Sequence, residues 1–277
     1  MAYDIISGMK FAFEGLHDKE VMQWMLLFAL AAIAAAFVSG ATTVLIPALI
    51  AADWILLGIP LTTIAAVVFS VLLGVAYVLV WLFFQYQFYR AGLRLAGYKP
   101  PANSPTCAQF VFVTIKMALV SLFSWYDKRV LAIVLLLYAI TALWAAAGFF
   151  TNNGILLMVG AGFLAFTVLV HYLGVFLHGI RALFAPLFYL KDGSYGGKAP
   201  SRSFALVKNR TFDVAIPLIG GLFIFWLAYI PAVILWVCLV GFALEAAIFA
   251  MSMLYVAHVF AHYEHLGPVE KKKQEKE

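Results

Sequence analysis

HDKEVMQWMLL, residues 17–27, is echoed by YDKRVLAIVLLL, residues 126–137. In both stretches an Asp-Lys-x-Val step runs straight into an apolar run. A carboxylate and a base side by side stay hydrated while the next helical turn enters hydrocarbon. The step therefore reads as a corner at which the chain leaves the headgroup layer and dives into a membrane.

Composition requires a membrane reading of this kind. Of 277 residues, 65% are hydrophobic and 11% are charged, and the mean hydropathy is +1.01. Soluble domains carry roughly 45–50% apolar and about 25% charged residues. A soluble fold of this length could not hide so much apolar surface. The formal charge of +5 does not point to nucleic acid, because the charges separate apolar runs instead of gathering on one basic face. Two cysteines, Cys107 and Cys238, make neither a metal spacing nor a disulfide framework. The run beginning near Val21 follows "DKE" with no clean Ala-x-Ala site after it, which predicts an uncleaved anchor and not a signal peptide.

A helical span needs about 20 apolar residues. Six segments qualify: 21–39, 61–84, 130–149, 155–177, 214–229 and 232–258. Residues 40–60 and 107–125 are apolar but ambiguous. Lysine and arginine decide, because they stay on the cytoplasmic side. With six spans, segments 1–20, 85–129, 178–213 and 259–277 hold two, six, six and four of them, all 18 in the chain. A crossing by 40–60 alone would move Arg90, Arg94 and Lys99 outside. A crossing by 107–125 alone would bury Lys116 and export Lys128 and Arg129. The expectation is an all-α polytopic protein of the cell membrane with both termini cytoplasmic. Pro47, Pro60 and Asp53 predict a re-entrant or surface-lying hairpin over 40–60. Residues 107–125 predict an interfacial helix with Lys116 among headgroups. Trp24, Trp81, Tyr86, Tyr89 and Trp125 fall near the inner boundary and Trp54, Trp226 and Trp236 near the outer one, the expected aromatic belts.

The echo extends further. Residues 3–17 place Ile5, Met9, Ala12, Phe13 and Leu16 at helical spacing, an amphipathic interfacial helix before the first corner. Residues 200–221, with Pro200 and Ser201 as helix-start residues, place Phe204-Ala205 ahead of Val214 as Phe11-Ala12 stands ahead of Val21. A threefold internal repeat follows, with units of about 3–88, 107–178 and 200–262. Each has an interfacial helix, a charged corner, a span out and a span back. They form a single transmembrane domain, 1–265, followed by a basic tail, 266–277.

Residues 181–227, RALFAPLFYLKDGSYGGKAPSRSFALVKNRTFDVAIPLIGGLFIFWL, carry a resemblance. A span end, an "APLFYLKDG" connection, a short "SFALVKNR" helix and the next span resemble a large family of prokaryotic six-helix membrane proteins. That family includes the membrane domain attached to some glycerophosphodiester phosphodiesterases. The resemblance implies the fold and the membrane location. It implies no hydrolase activity, since the chain has no phosphodiesterase domain and no acidic and histidine metal set.

Few residues offer chemistry. Glu245 is the one formally charged residue deep in an expected span. It reads either as a proton or cation site in a permeation path or as a protonated carboxyl hydrogen-bonded in the bundle. His171 and His178 share a helix face; with Glu245 they could relay protons, but alone they are too far apart to chelate one ion. His258 and His262 stand at i, i+4, with Glu264 and His265 adjacent. The pair has chelating geometry but lacks the glutamate of HExxH, and packing is the simpler reading. Lys10, Lys19, Lys116, Lys128, Arg129, Arg202, Lys208 and Arg210 are the expected lipid and interface residues, and the tail VEKKKQEKE reads either as a headgroup contact at about 1 kcal/mol per lysine or as a topology anchor. No cofactor, catalytic residue, metal or nucleic acid is expected. The expected function is non-enzymatic binding of membrane lipids, a membrane partner or a second copy at the cytoplasmic leaflet. The alternative is a small transporter or channel using Glu245.

Overall fold

The structure is a computed structural model that describes residues 3–50, 55–56, 59–101, 104–122, 128–193 and 198–267; over 44–63, 120–130 and 237–238 it describes at most the backbone. The chain is helical, with one two-residue antiparallel ladder, Ile55–Leu56 with Ile59–Pro60, paired Ile55 to Pro60 and Leu56 to Ile59. The helices are α1 Ile5–Gly15, α2 Lys19–Ile50, α3 Leu61–Leu95, α4 Cys107–Leu122, α5 Lys128–Phe150, α6 Gly154–Ala182, α7 Ala185–Asp192, α8 Lys198–Val207, α9 Thr211–Ile234 and α10 Val240–Leu266. Among the described residues six segments are long and apolar enough to cross a membrane: 19–43, 64–95, 131–150, 154–192, 211–234 and 240–266. The short-long-long order occurs three times, as α1–α3, α4–α6 and α8–α10, with α7 added.

Two compact units result. The first holds residues 1–111 and 216–265; the second holds 112–215 and 266–277.

In the first unit the Asp18 corner is a cap. Its carboxylate accepts from the Glu20 and Val21 N–H groups at 3.0 and 3.2 Å, satisfying donors that an α-helix start leaves open. Arg94, at the end of α3, grips Asp18 and Glu20, each at 2.6 Å. The pair therefore ties the start of the outgoing span to the end of the returning one. A threonine-glutamine capping box opens α4: the Gln109 N–H donates to Thr106 Oγ1 (3.3 Å) and the Thr106 N–H to Gln109 Oε1 (3.0 Å),. Phe110 is fully buried and packs on the rings of Tyr86 and Tyr89.

The helix expected over 3–17 forms, with Ala12 of its apolar set buried, Ile5, Met9 and Leu16 half-buried and Phe13 exposed. Asp4 caps it by accepting from the Ile6 N–H at 3.0 Å. The buried positions are Gly8, Ala12 and Gly15, while Ile6 and Phe13 are 76% and 59% exposed. Small residues win the inner face because α1 lies close on α10. A Cβ at Gly15 would stand 2.8 Å from Leu254, and one at Gly8 would stand 2.8 Å from Tyr255.

Three further expectations are corrected. Helix α2 continues through Pro47 to Ile50, so 40–50 is helix and not one arm of a hairpin. A proline costs one backbone bond, which membrane helices tolerate. The hairpin is confined to the ladder at 55–60; residues 51–54, with Trp54 and Asp53, lie outside the described residues. The "APLFYLKDG" connection contains a helix, α7, with Pro186 in its first turn and Gly193 closing it at φ 63°, as proline and glycine do at helix starts and ends. Finally, the last span does not begin at Ala232. Helix α9 runs to Ile234, a 3₁₀ turn occupies Leu235–Cys238, and α10 starts at Val240.

The second unit pairs α5 with α6 through small residues. Thr141 and Thr167 approach at 3.2 Å between hydroxyl oxygens, and a Cβ on Gly148 would meet the Leu157 backbone nitrogen at 2.8 Å. Asn153 caps α6, accepting from the Ile155 and Leu156 N–H groups. Below them Met117, Ala182 and Ala185 form a buried cluster with Val113 and Phe204 against it. Asp127 and Trp125 lie outside the described residues, so the second corner is not described. At the third, the Arg210 guanidinium donates to the Gly267 carbonyl at 2.6 Å.

Candidate functional site

Helix α10 carries the site of most chemical interest. The break at Leu235–Cys238 ends with Leu239 at φ 59°. Gly241 fits against that break: a Cβ there would lie 2.3 Å from the Ala232 carbonyl oxygen and 2.4 Å from the Trp236 nitrogen. The break sets the depth of Glu245. It lies in the second turn of α10, about 8 Å along the helix at about 1.5 Å per residue, and not mid-span.

Glu245 is 8% exposed. Tyr229 donates its hydroxyl to Oε1 at 3.2 Å. Oε2 is buried with no hydrogen-bond partner. The carboxyl lines a cleft of about 310 Å³ whose walls include Phe28, Tyr77, Trp81, Trp226, Tyr229 and Phe249. Four helices of the first unit, α2, α3, α9 and α10, supply those walls. Phe28 stacks on Phe249 at 4.8 Å between ring centres, and Trp81 meets Phe249 at 5.6 Å. Ser252 also lines the cleft, but its hydroxyl is already given to the Ile248 carbonyl at 2.8 Å.

The histidines expected to join Glu245 belong to the other unit. His171 packs edge-on to Tyr138 at 5.9 Å. His178 is buried, and its Nδ1 lies 3.1 Å from the Gly174 carbonyl one turn back. Among the described residues no group of three histidine, cysteine or acidic side chains could hold a metal ion.

The i, i+4 pair His258 and His262 has a different job. Tyr3, ahead of α1, inserts its ring among them. Its hydroxyl pairs with His258 Nδ1 at 2.8 Å, and its ring meets His262 at 5.2 Å, Tyr255 at 5.9 Å and Tyr263 at 6.3 Å. Burial pushes the Tyr3 phenol well above its ordinary range, and the neighbouring phenols and Asp4 add to the shift. Two residues on, Glu264 accepts from the Tyr98 hydroxyl at 2.9 Å, and His265 stacks on the Tyr98 ring. Burial comes first in raising the Tyr98 phenol, with the Glu264 bond second. The HVFAHYEH stretch is thus a latch for the chain's start and for the end of α3. Sequence reading passed over Tyr3 and Tyr98 because neither sits in an apolar period or a motif.

The basic residues divide. Lys10 is exposed, 3.8 Å from Glu14; Lys19, Lys116 and Lys208 are exposed. Arg202 pairs with Asp192, and its guanidinium lies 4.8 Å over the Phe188 ring. Arg210 is half-buried at its corner. Lys128 and Arg129 open α5, and their side chains lie outside what the structure describes.

Six apolar helices with polar and charged residues gathered at their ends define an all-α, multi-pass integral membrane protein. No family model matches the chain, and neither a curated protein nor a solved structure does.

Proposed function

We propose that this protein is a non-enzymatic component of the cell membrane that binds lipid at the leaflet where its charged corners lie, with both termini on the cytoplasmic side. One observation carries the reading. Helix α1 has 11 residues, too few to cross, and it docks through glycine and alanine while Ile6 and Phe13 stand bare beside Lys10. A short helix with bare apolar groups and a lysine on its outer side suits the boundary between headgroups and acyl chains. The distribution of the 18 basic residues supports the cytoplasmic side. The resemblance of residues 181–227 to a six-helix membrane family rests on those residues alone and points the same way.

The test is lipid retention. Protein purified gently from its membrane is expected to carry tightly held anionic lipid in native mass spectrometry. The double variant Ile6→Asn with Phe13→Asn, which leaves the Gly8–Ala12–Gly15 face intact, is expected to lose most of it. Equal lipid on variant and parent overturns the reading. A second reading, transport through Glu245, is favoured by a buried carboxyl on the wall of a cleft, and cation flux into proteoliposomes tests it.

A further inference from the structure

We infer that the cleft at Glu245 is a binding site for an organic ammonium group carrying at least one N–H, reached from within the bilayer. The inference uses the same residue as the transport reading but not its premise: a ligand can bind there whether or not anything crosses.

The argument starts from the carboxyl. It is more than nine-tenths buried, one oxygen is held by Tyr229, and the other has no partner. Burying an ionised carboxylate without a counter-charge is costly, and an unmet buried acceptor adds to that cost. A ligand that brings both a positive charge and an N–H removes both costs at once.

The walls choose among cations. A metal ion needs several oxygen, nitrogen or sulfur ligands, and the described residues around Glu245 supply one carboxyl. Aromatic faces instead attract organic cations, the more strongly as water is excluded. The cleft offers Tyr77, Trp81, Trp226, Tyr229, Phe28 and Phe249, aromatic walls with one acid at the floor. Its volume of about 310 Å³ admits a small alkylammonium or a headgroup rather than a bare ion.

The mouth sets the route. Phe28 and Phe225 are buried at the back, whereas Tyr77 and Trp226 are 55% and 59% exposed. These rings flank an opening on the apolar flank of the first unit, so an amphiphile with its ammonium in the cleft keeps its apolar part in lipid. The shared chemistry belongs equally to an aminophospholipid headgroup and to a free lipophilic amine.

The experiment is calorimetric titration of the full chain in nanodiscs of phosphatidylglycerol. Cyclohexylammonium is the probe and cyclohexanol is its neutral counterpart of similar size. Saturable binding of the ammonium at least tenfold tighter than the alcohol is expected, and Glu245→Gln is expected to erase that preference while Tyr229 still has an amide oxygen to donate to. Equal affinity for the two probes on the parent protein overturns the inference without recourse to any variant, as does an unchanged preference in Glu245→Gln. Repeating the titration in phosphatidylethanolamine nanodiscs identifies the source: loss of the signal shows that a lipid headgroup holds the site, and persistence assigns it to a free amine. Because Ile6 and Phe13 are untouched, failure here leaves the lipid-retention result standing, and the reverse holds equally.

Discussion

The two halves of α3 are built from different materials. From Ile64 to Val80 nearly every side chain is bare of protein, including Val67, Val68, Phe69, Val71 and Leu72; from Leu82 to Leu93, Leu82, Phe84, Gln85, Tyr86, Gln87, Phe88 and Tyr89 are all buried. The bare half is almost wholly aliphatic, and the buried half reads LFFQYQFYRAGL. Acyl chains serve valine as well as another helix does, so aliphatic runs gain little from protein contact. Tyrosine does gain. The Tyr86 hydroxyl donates to the Pro105 carbonyl at 2.8 Å, a bond hydrocarbon cannot offer. Helix α10 follows the same rule: its most apolar 18-residue window is 61% buried against 11% for that of α3, and its solid stretch, Met253–Ala257 with Val259–Ala261 and Tyr263, lies toward its charged end. The first unit is therefore held together where polar groups need company, and it leaves its aliphatic length to the lipid.

That contrast breaks most visibly at Tyr255. Its ring is fully buried, and its hydroxyl donates to the Pro217 carbonyl at 2.7 Å. Tyr255→Ala is expected to cost about 3–5 kcal/mol in reversible unfolding from mixed micelles. A loss below about 1 kcal/mol would place the core elsewhere. Gly241→Ala probes the opposite end of the same helix, where the new methyl meets backbone atoms that cannot swing away. A cost of about 1–3 kcal/mol is expected, together with weaker ammonium binding in the titration described above, because the break positions Glu245. Arg94→Gln should cost less, about 0.5–1 kcal/mol, since the pair with Asp18 and Glu20 is partly exposed. Faster amide exchange in the first turn of α2 would show it. Phe149→Ala and Leu143→Ala, at positions 77% and 70% exposed, should stay within about 0.5 kcal/mol of the parent, and larger losses would mean that this bare surface is covered by protein in the membrane.

The six spans were legible because hydrocarbon demands long apolar runs and the basic residues label the turns between them. The face of α1 was not, since hydropathy credits Phe13 and ignores Gly8 and Gly15, whereas close packing on α10 rewards the absence of a side chain. Leu235–Cys238 is as apolar as the helices on either side, so the break that sets the depth of Glu245 left no mark in hydropathy. Glu245 itself was conspicuous as a charge in an apolar run. Its aromatic surroundings were not, because Phe28, Tyr77, Trp226 and Phe249 come from four helices far apart in sequence. Helix α7 has signals in Pro186 and Gly193, but a proline and a glycine seven residues apart suit a connection as well as a two-turn helix,.

The latch between Tyr3 and His258 also has a timetable. The two residues are 255 positions apart, and chains grow at about 5–20 residues per second. The small-residue face of α1 therefore waits roughly 10–50 s after synthesis for its partner helix to exist. During that interval it must rest on headgroups or on whatever machinery inserts the chain, and α10, made long after α1, is the helix that seats it.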